Sequence, residues 1–99
     1  MTPIKPSIGA RLELLDAINY YNRQRPGLGE DFLAEVDQLC AAIVANPLRW
    51  APDARGRRRA LMKRFPYKLI FRVRAKDIYL VAAAHNKRAP GYWESRDRS

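Results

Sequence analysis

The sequence predicts an α+β domain in which an N-terminal helical hairpin packs on one face of a small antiparallel sheet. Two stretches of helical apolar periodicity fill the first half of the chain, and alternating segments rich in aromatic and β-branched residues fill the second. A short proline–glycine turn joins the helical stretches, which makes them an antiparallel pair. Their apolar stripes need a cover, and the apolar side of the sheet is the available partner.

Taken in order, Thr2–Pro6 reads as a short first strand. Pro3 and Pro6 lack donors, so it belongs at a sheet edge. Ser7 is placed to cap a helix. From Ile8 the period becomes helical, with Ala10, Leu14, Ala17, Ile18 and Tyr21 on one face and Arg11, Glu13, Asp16 and Arg23 elsewhere. The helix, about Ala10–Gln24, ends there because Pro26 disfavours helical geometry at Arg25. Pro26-Gly27-Leu28-Gly29 is a turn. Glu30 and Asp31 then open a second helix, Glu30–Asn46, where carboxylates suit the positive end of the dipole. Phe32, Val36, Leu39, Cys40 and Ile43 form its stripe, and Asn46-Pro47 ends it. Pro47–Gly56 is a loop.

The stretch Arg57–Arg88 reads as three consecutive strands. In Tyr67–Arg74 the residues Tyr67, Leu69, Phe71 and Val73 share one face, and Lys68, Ile70, Arg72 and Arg74 the other. In Ile78–His85 the sets are Ile78, Leu80, Ala82 and Ala84 against Tyr79, Val81, Ala83 and His85. Aligning like faces sets the register: Val73 with Leu80, Arg72 with Val81, Lys68 with His85, and, in the preceding hairpin, Arg64 with Lys68 and Leu61 with Phe71. Residues from about 87 to 99 form a basic tail, which Trp93 is expected to pin to the body.

The 99 residues form a single domain with one modest core. Net charge is +9, unevenly spread: residues 1–50 hold five Lys/Arg and six Asp/Glu, whereas residues 51–99 hold fourteen and four. The second half therefore carries +10, which points to a polyanionic or acidic partner. No apolar run could span a bilayer, no stretch resembles a signal peptide, and Cys40 as the only cysteine forbids an internal disulfide. Together these predict a cytoplasmic protein with no membrane partner. There is no phosphate-binding glycine loop, no zinc spacing and no nucleophile elbow, so neither cofactor nor metal is expected.

On the expected register Arg64, Lys68 and His85 form a row across three strands. Like charges directly opposite destabilise a sheet, and a bound anion would offset that. Arg64 and Lys68 suit a phosphate, His85 suits proton exchange, and Tyr79 or Tyr92 suits base stacking.

The chain resembles the RelE/ParE superfamily of toxins from bacterial type II toxin–antitoxin modules. The resemblance is carried by Ala10-Arg11, Glu13-Leu14, Ala17, Tyr20-Tyr21, Pro26-Gly27-Leu28-Gly29, Phe32 and Val36. It continues through Asn46-Pro47, Arg58-Arg59, Leu61, Arg64-Phe65-Pro66-Tyr67, His85, Arg88, Pro90, Tyr92-Trp93 and Arg96. It implies a RelE/ParE-like fold and a cognate antitoxin whose acidic or amphipathic segment wraps the chain. RelE-like members cleave mRNA on the ribosome with basic residues and a tyrosine; ParE-like members poison DNA gyrase. By position, Lys68 matches a strand site often held by a catalytic arginine, Arg88 a tail cation and Tyr92 the tail tyrosine. Together with the reading of the residues themselves, Lys68, His85 and Tyr92 would be catalytic in a ribonuclease, and Arg64, Arg72, Arg74 and Arg88 would bind phosphate or the target. The hairpin with Tyr20-Tyr21 and its PGLG turn resembles chains described as ParE-like or plasmid stabilisation proteins. A gyrase poison is therefore the expected function, with a ribosome-dependent endoribonuclease or a harmless nucleic-acid-binding domain as alternatives.

Overall fold

A computed structural model describes residues 3–97. The elements are β1 (Ile4–Pro6), α1 (Ile8–Gln24), α2 (Leu28–Ala45), β2 (Arg57–Leu61), β3 (Tyr67–Val73) and β4 (Ile78–His85), with one-turn 3₁₀ helices at Pro47–Arg49 and Glu94–Arg96. Thr2, expected in the first strand, lies outside the described residues, as do Arg98 and Ser99 of the tail.

Ser7 caps α1 as expected: its Oγ accepts from the Ala10 N–H at 3.0 Å. α1 stops at Gln24, and Arg25 before Pro26 is extended. α2 begins at Leu28, two residues earlier than expected, because the Asn22 side chain serves its free N–H groups. Asn22 Oδ1 accepts from Gly27 N–H at 3.2 Å and Gly29 N–H at 2.8 Å. Gly29 permits this tight crossing, since a Cβ there would overlap the Ile18 carbonyl and the Asn22 amide.

The sheet order is β1-β4-β3-β2. β2, β3 and β4 are antiparallel, as expected, but β1 joins β4 in parallel, so the sheet is mixed. Strand β1 sits at the edge, where Pro6 removes no ladder bond. Phe32, Val36, Ile43, Leu69, Phe71, Ile78 and Leu80 form the core between hairpin and sheet. No helix among the described residues is long and apolar enough to cross a membrane.

Both expected registers are wrong. In the β2–β3 hairpin, Leu61 pairs with Lys68 and Arg57 with Arg72, not Leu61 with Phe71 or Arg64 with Lys68. That shift puts Ala60 and Arg58 on the helix side and Arg57, Arg59 and Leu61 on the other. Between β3 and β4, Val73 pairs with Ile78 and Phe71 with Leu80, but Ile70 pairs with Ala82 and Tyr67 with His85. Val81 is thus an extra residue, a β-bulge, and beyond it the faces of β4 exchange. Ala83 joins the core under the helices, while Ala82 and Ala84 turn to the opposite face. His85 follows Ala83 to the helix side, 5.1 Å from the Tyr67 ring.

Candidate functional site

The face of the sheet away from the helices was expected to be an open basic surface. The structure places the chain's own C-terminal segment across it. After β4, Asn86 N–H donates to the Pro66 carbonyl (2.8 Å) and Arg88 N–H to the His85 carbonyl (3.0 Å), turning the chain back. Gly91, at φ +80°, completes the reversal in a conformation that disfavours other residues. Trp93 then lies on Ile70, Val81, Ala82 and Ala84 with 2% of its surface exposed, and closes a second small core with Tyr79 and Tyr92 at its rim. Tryptophan thus pins the tail, in agreement with the sequence-based expectation.

The strap brings carboxylates as well as apolar surface. Arg72 donates to both oxygens of Asp97, at 2.9 and 2.8 Å, and this hydrogen bonding holds the guanidinium above its usual range. Arg57 is only 6% exposed, yet its charge is compensated by Asp53 at 3.3 Å, Glu94 at 3.5 Å and Asp97 at 3.8 Å. Its guanidinium also sits 4.5 Å from the Trp93 ring centre. Burial alone would raise the Asp53 carboxyl. Backbone N–H groups of Arg57 and Arg55, with the cations of Arg57 and Arg59, outweigh this and hold it below the usual range.

A second knot ties the strap to α1. Glu13 accepts from the Tyr92 hydroxyl, from Arg96 at 2.9 Å and from the Ala83 N–H at 3.1 Å. The last of these satisfies the β4 edge where β1 has ended. Burial, then the bond to Glu13, pushes the Tyr92 phenol up to about 12. The Arg88 guanidinium stacks 3.9 Å from the same ring.

The residues singled out from sequence are therefore dispersed. Arg64 leaves the sheet and pairs with Asp31 of α2 at 3.7 Å. Arg74 is held by Asp77 at 2.5 and 2.8 Å, and Arg72 by Asp97. His85, on the helix side, accepts the Lys87 N–H on Nδ1 at 3.0 Å, which assigns its proton to Nε2. Lys68 alone of the expected row stays on the outer face, 3.5 Å from Asn86 Oδ1. With Arg59, His85 and Arg88 it lines an open cavity of about 440 Å³ beside the strap, where Arg88 lies over Tyr92 and Arg59 over Trp93. Burial first, and then the charge of Asp37, pushes the Cys40 thiol up to about 11.

Sequence reasoning missed Arg57, Arg59, Asp53 and Asp97 as parts of this face. Glu13 and Arg96 are 83 residues apart, and no local pattern joins them. The usable signal was the Asp97 that follows Trp93 in a basic tail: an acid beside an apolar anchor.

No family model matches the chain, and no curated protein matches it. Among solved structures, a chain of the chromosomal ParDE TA system from P. aeruginosa superposes with a TM-score of 0.75. The match covers 86% of this chain and 96% of that one, at 18% sequence identity. Two helices packed on a four-stranded mixed sheet, in the same arrangement as that component, give this chain the RelE/ParE-like fold.

Proposed function

We propose that the chain is the toxin component of a type II toxin–antitoxin module and that it acts by binding its target, as a ParE-like gyrase poison would. The likeness to a ParDE component supports the module. One observation carries the preference for binding over catalysis: the C-terminal strap covers the sheet face on which a ribonuclease would work. A phosphodiester needs cations whose charge is free to meet it, and Arg57, Arg72 and Arg74 are each closed by carboxylates. The His85 ring packs against Tyr67, at the edge of the cavity that holds Lys68, and the Tyr92 hydroxyl is already engaged by Glu13.

The reading includes a cognate antitoxin as partner. The net charge of +9 favours an acidic segment. The apolar stripe Ile8, Leu12 and Leu15 on the outer side of α1 offers an amphipathic segment a second surface. The alternative reading, a RelE-like ribosome-dependent mRNA endonuclease, keeps one observation in its favour: the cavity with Arg59, Lys68 and Arg88 beside Tyr92.

Growth arrest on induction separates the two. His85→Ala and Lys68→Ala should both remain toxic, and the purified chain should inhibit gyrase supercoiling while cellular mRNA stays intact. Loss of toxicity in both variants at unchanged melting temperature, with new mRNA ends, would transfer the assignment to the endonuclease.

A further inference from the structure

Strand β2 is the last of the sheet, so one of its sides has no strand neighbour. The outward groups of Arg57 are taken by Asp53: the N–H donates to Oδ1 at 3.0 Å, and the carbonyl accepts the Asp53 N–H at 2.7 Å. Backbone alternation turns the N–H and C=O of Arg59 and Leu61 to the same outward side, because Met62 N–H already points inward to the Tyr67 carbonyl. Neither residue's outward pair has a protein partner among the described residues. Beyond them the edge closes again, where Lys63 and Arg64 N–H donate to Glu35 at 2.5 and 3.1 Å. The open edge is thus a bounded ladder.

A cavity flanks it on each side. Toward the helices, a space of about 250 Å³ is lined by Leu39, Ala42 and Trp50, with Glu35, Arg49 and Lys63 at its polar margin. On the outer face lies the cavity of about 440 Å³ with Arg59, Lys68 and Arg88. A strand added about 4.8 Å beyond β2 would send alternate side chains into the two spaces.

We propose that the free edge of β2 at Arg59–Leu61 is a strand-addition site. Its occupant is an extended acidic protein segment, in which apolar side chains facing Leu39 and Trp50 alternate with carboxylates facing Arg59 and Lys68. This rests on the reading of an acidic antitoxin and names the surface its segment takes. A second copy of the chain is disfavoured, since pairing β2 with β2 would oppose two Arg57–Arg59 runs. Nucleic acid fits poorly as well, because phosphates accept but do not donate, and the edge presents carbonyls as well as N–H groups.

The test is amide exchange by NMR on the full isotope-labelled chain, with a short peptide alternating glutamate and leucine. Exchange at the Arg59 and Leu61 amides should slow at least about tenfold at saturation. A peptide alternating lysine and leucine should leave it unchanged. Leu61→Pro, which removes an N–H with no internal partner, should weaken the glutamate peptide at least about tenfold with little change in Tm. If that variant fails to fold, the exchange result on the unaltered chain still decides.

Binding of the glutamate peptide without protection at Arg59 and Leu61 overturns the site, as does protection that grows with protein concentration alone, which would assign the edge to a second copy. The partner reading is checked separately, by co-purification with the product of an adjacent acidic reading frame. A stable complex whose Arg59 and Leu61 amides exchange freely overturns the strand site and leaves the partner standing. Peptide protection with no such complex supports the edge and removes the antitoxin from it.

Discussion

Replacing Trp93 by alanine tests whether the C-terminal strap belongs to the folded body. The indole is 2% exposed on a cluster of Ile70, Val81, Ala82 and Ala84, all buried. Truncating a buried tryptophan costs about 3–5 kcal/mol in lost transfer energy and residual cavity. The Arg57 guanidinium, 4.5 Å from the ring centre, loses a further contribution of about 0.5–2 kcal/mol. Arg57 is itself buried, and it draws charge compensation from Glu94 and Asp97 of the same strap, so loosening the strap weakens that pairing. Against a domain stability of about 5–15 kcal/mol this is about a quarter of the total or more. Thermal melting by far-ultraviolet circular dichroism should show Trp93→Ala lowered by about 15–30 °C, with Trp93→Phe lowered much less. A Trp93→Ala melt within about 5 °C of the parent would refute the reasoning. The strap would then be a removable cover, and the cations beneath it would be available for chemistry.

Asn22→Ala should cost about 0.5–2 kcal/mol by leaving the α2 N-terminal N–H groups of Gly27 and Gly29 without their acceptor, measured by chemical denaturation. Asp77 is held below the usual carboxylate range by its hydrogen bonds to Arg74, and Asp53 is lowered too, so both stabilise the fold above their unfolded pKa near 4. That stability should fall away as pH drops through their folded values, and Asp53→Asn with Asp77→Asn should flatten the acid limb of the Tm profile. Tyr92 moves the other way: its folded value of about 12 lies above the unfolded value near 10, so its contribution is complete below pH 10 and is lost as pH rises toward 12. Tyr92→Phe should cost about 1–2 kcal/mol near neutral pH and remove part of the alkaline transition, read by ultraviolet titration of the phenols. Association with an acidic partner should slow with added salt, because the favourable charge is exposed; an on-rate indifferent to ionic strength in stopped flow would contradict the electrostatic account.

Local chemistry written into neighbouring residues was legible in the sequence. Ser7 as a helix cap, Pro26 as a stop, and the stripes Phe32–Ile43 and Ala10–Tyr21 follow from short-range sterics and periodicity, and the structure agrees with each; of the expected covered face, Leu69, Phe71 and Leu80 meet the helices but Ala82 does not. So does Trp93 as the pin of the tail. Strand register was not legible, because several alignments of β2, β3 and β4 bury apolar side chains nearly as well. Only the bulge at Val81, which lets Ala83 sit beneath α1 while Ala82 and Ala84 meet Trp93, decides among them. The same cause hid the candidate site. A face of alternating cations reads as open and anion-seeking until the tertiary structure brings Asp97 back from the chain end to Arg72, and Glu13 from the first helix to Arg96 and Tyr92. Periodicity determined which residues could share a face of a strand; long-range pairing of charge and packing volume, which no spacing encodes, decided which faces met and which cations remained free.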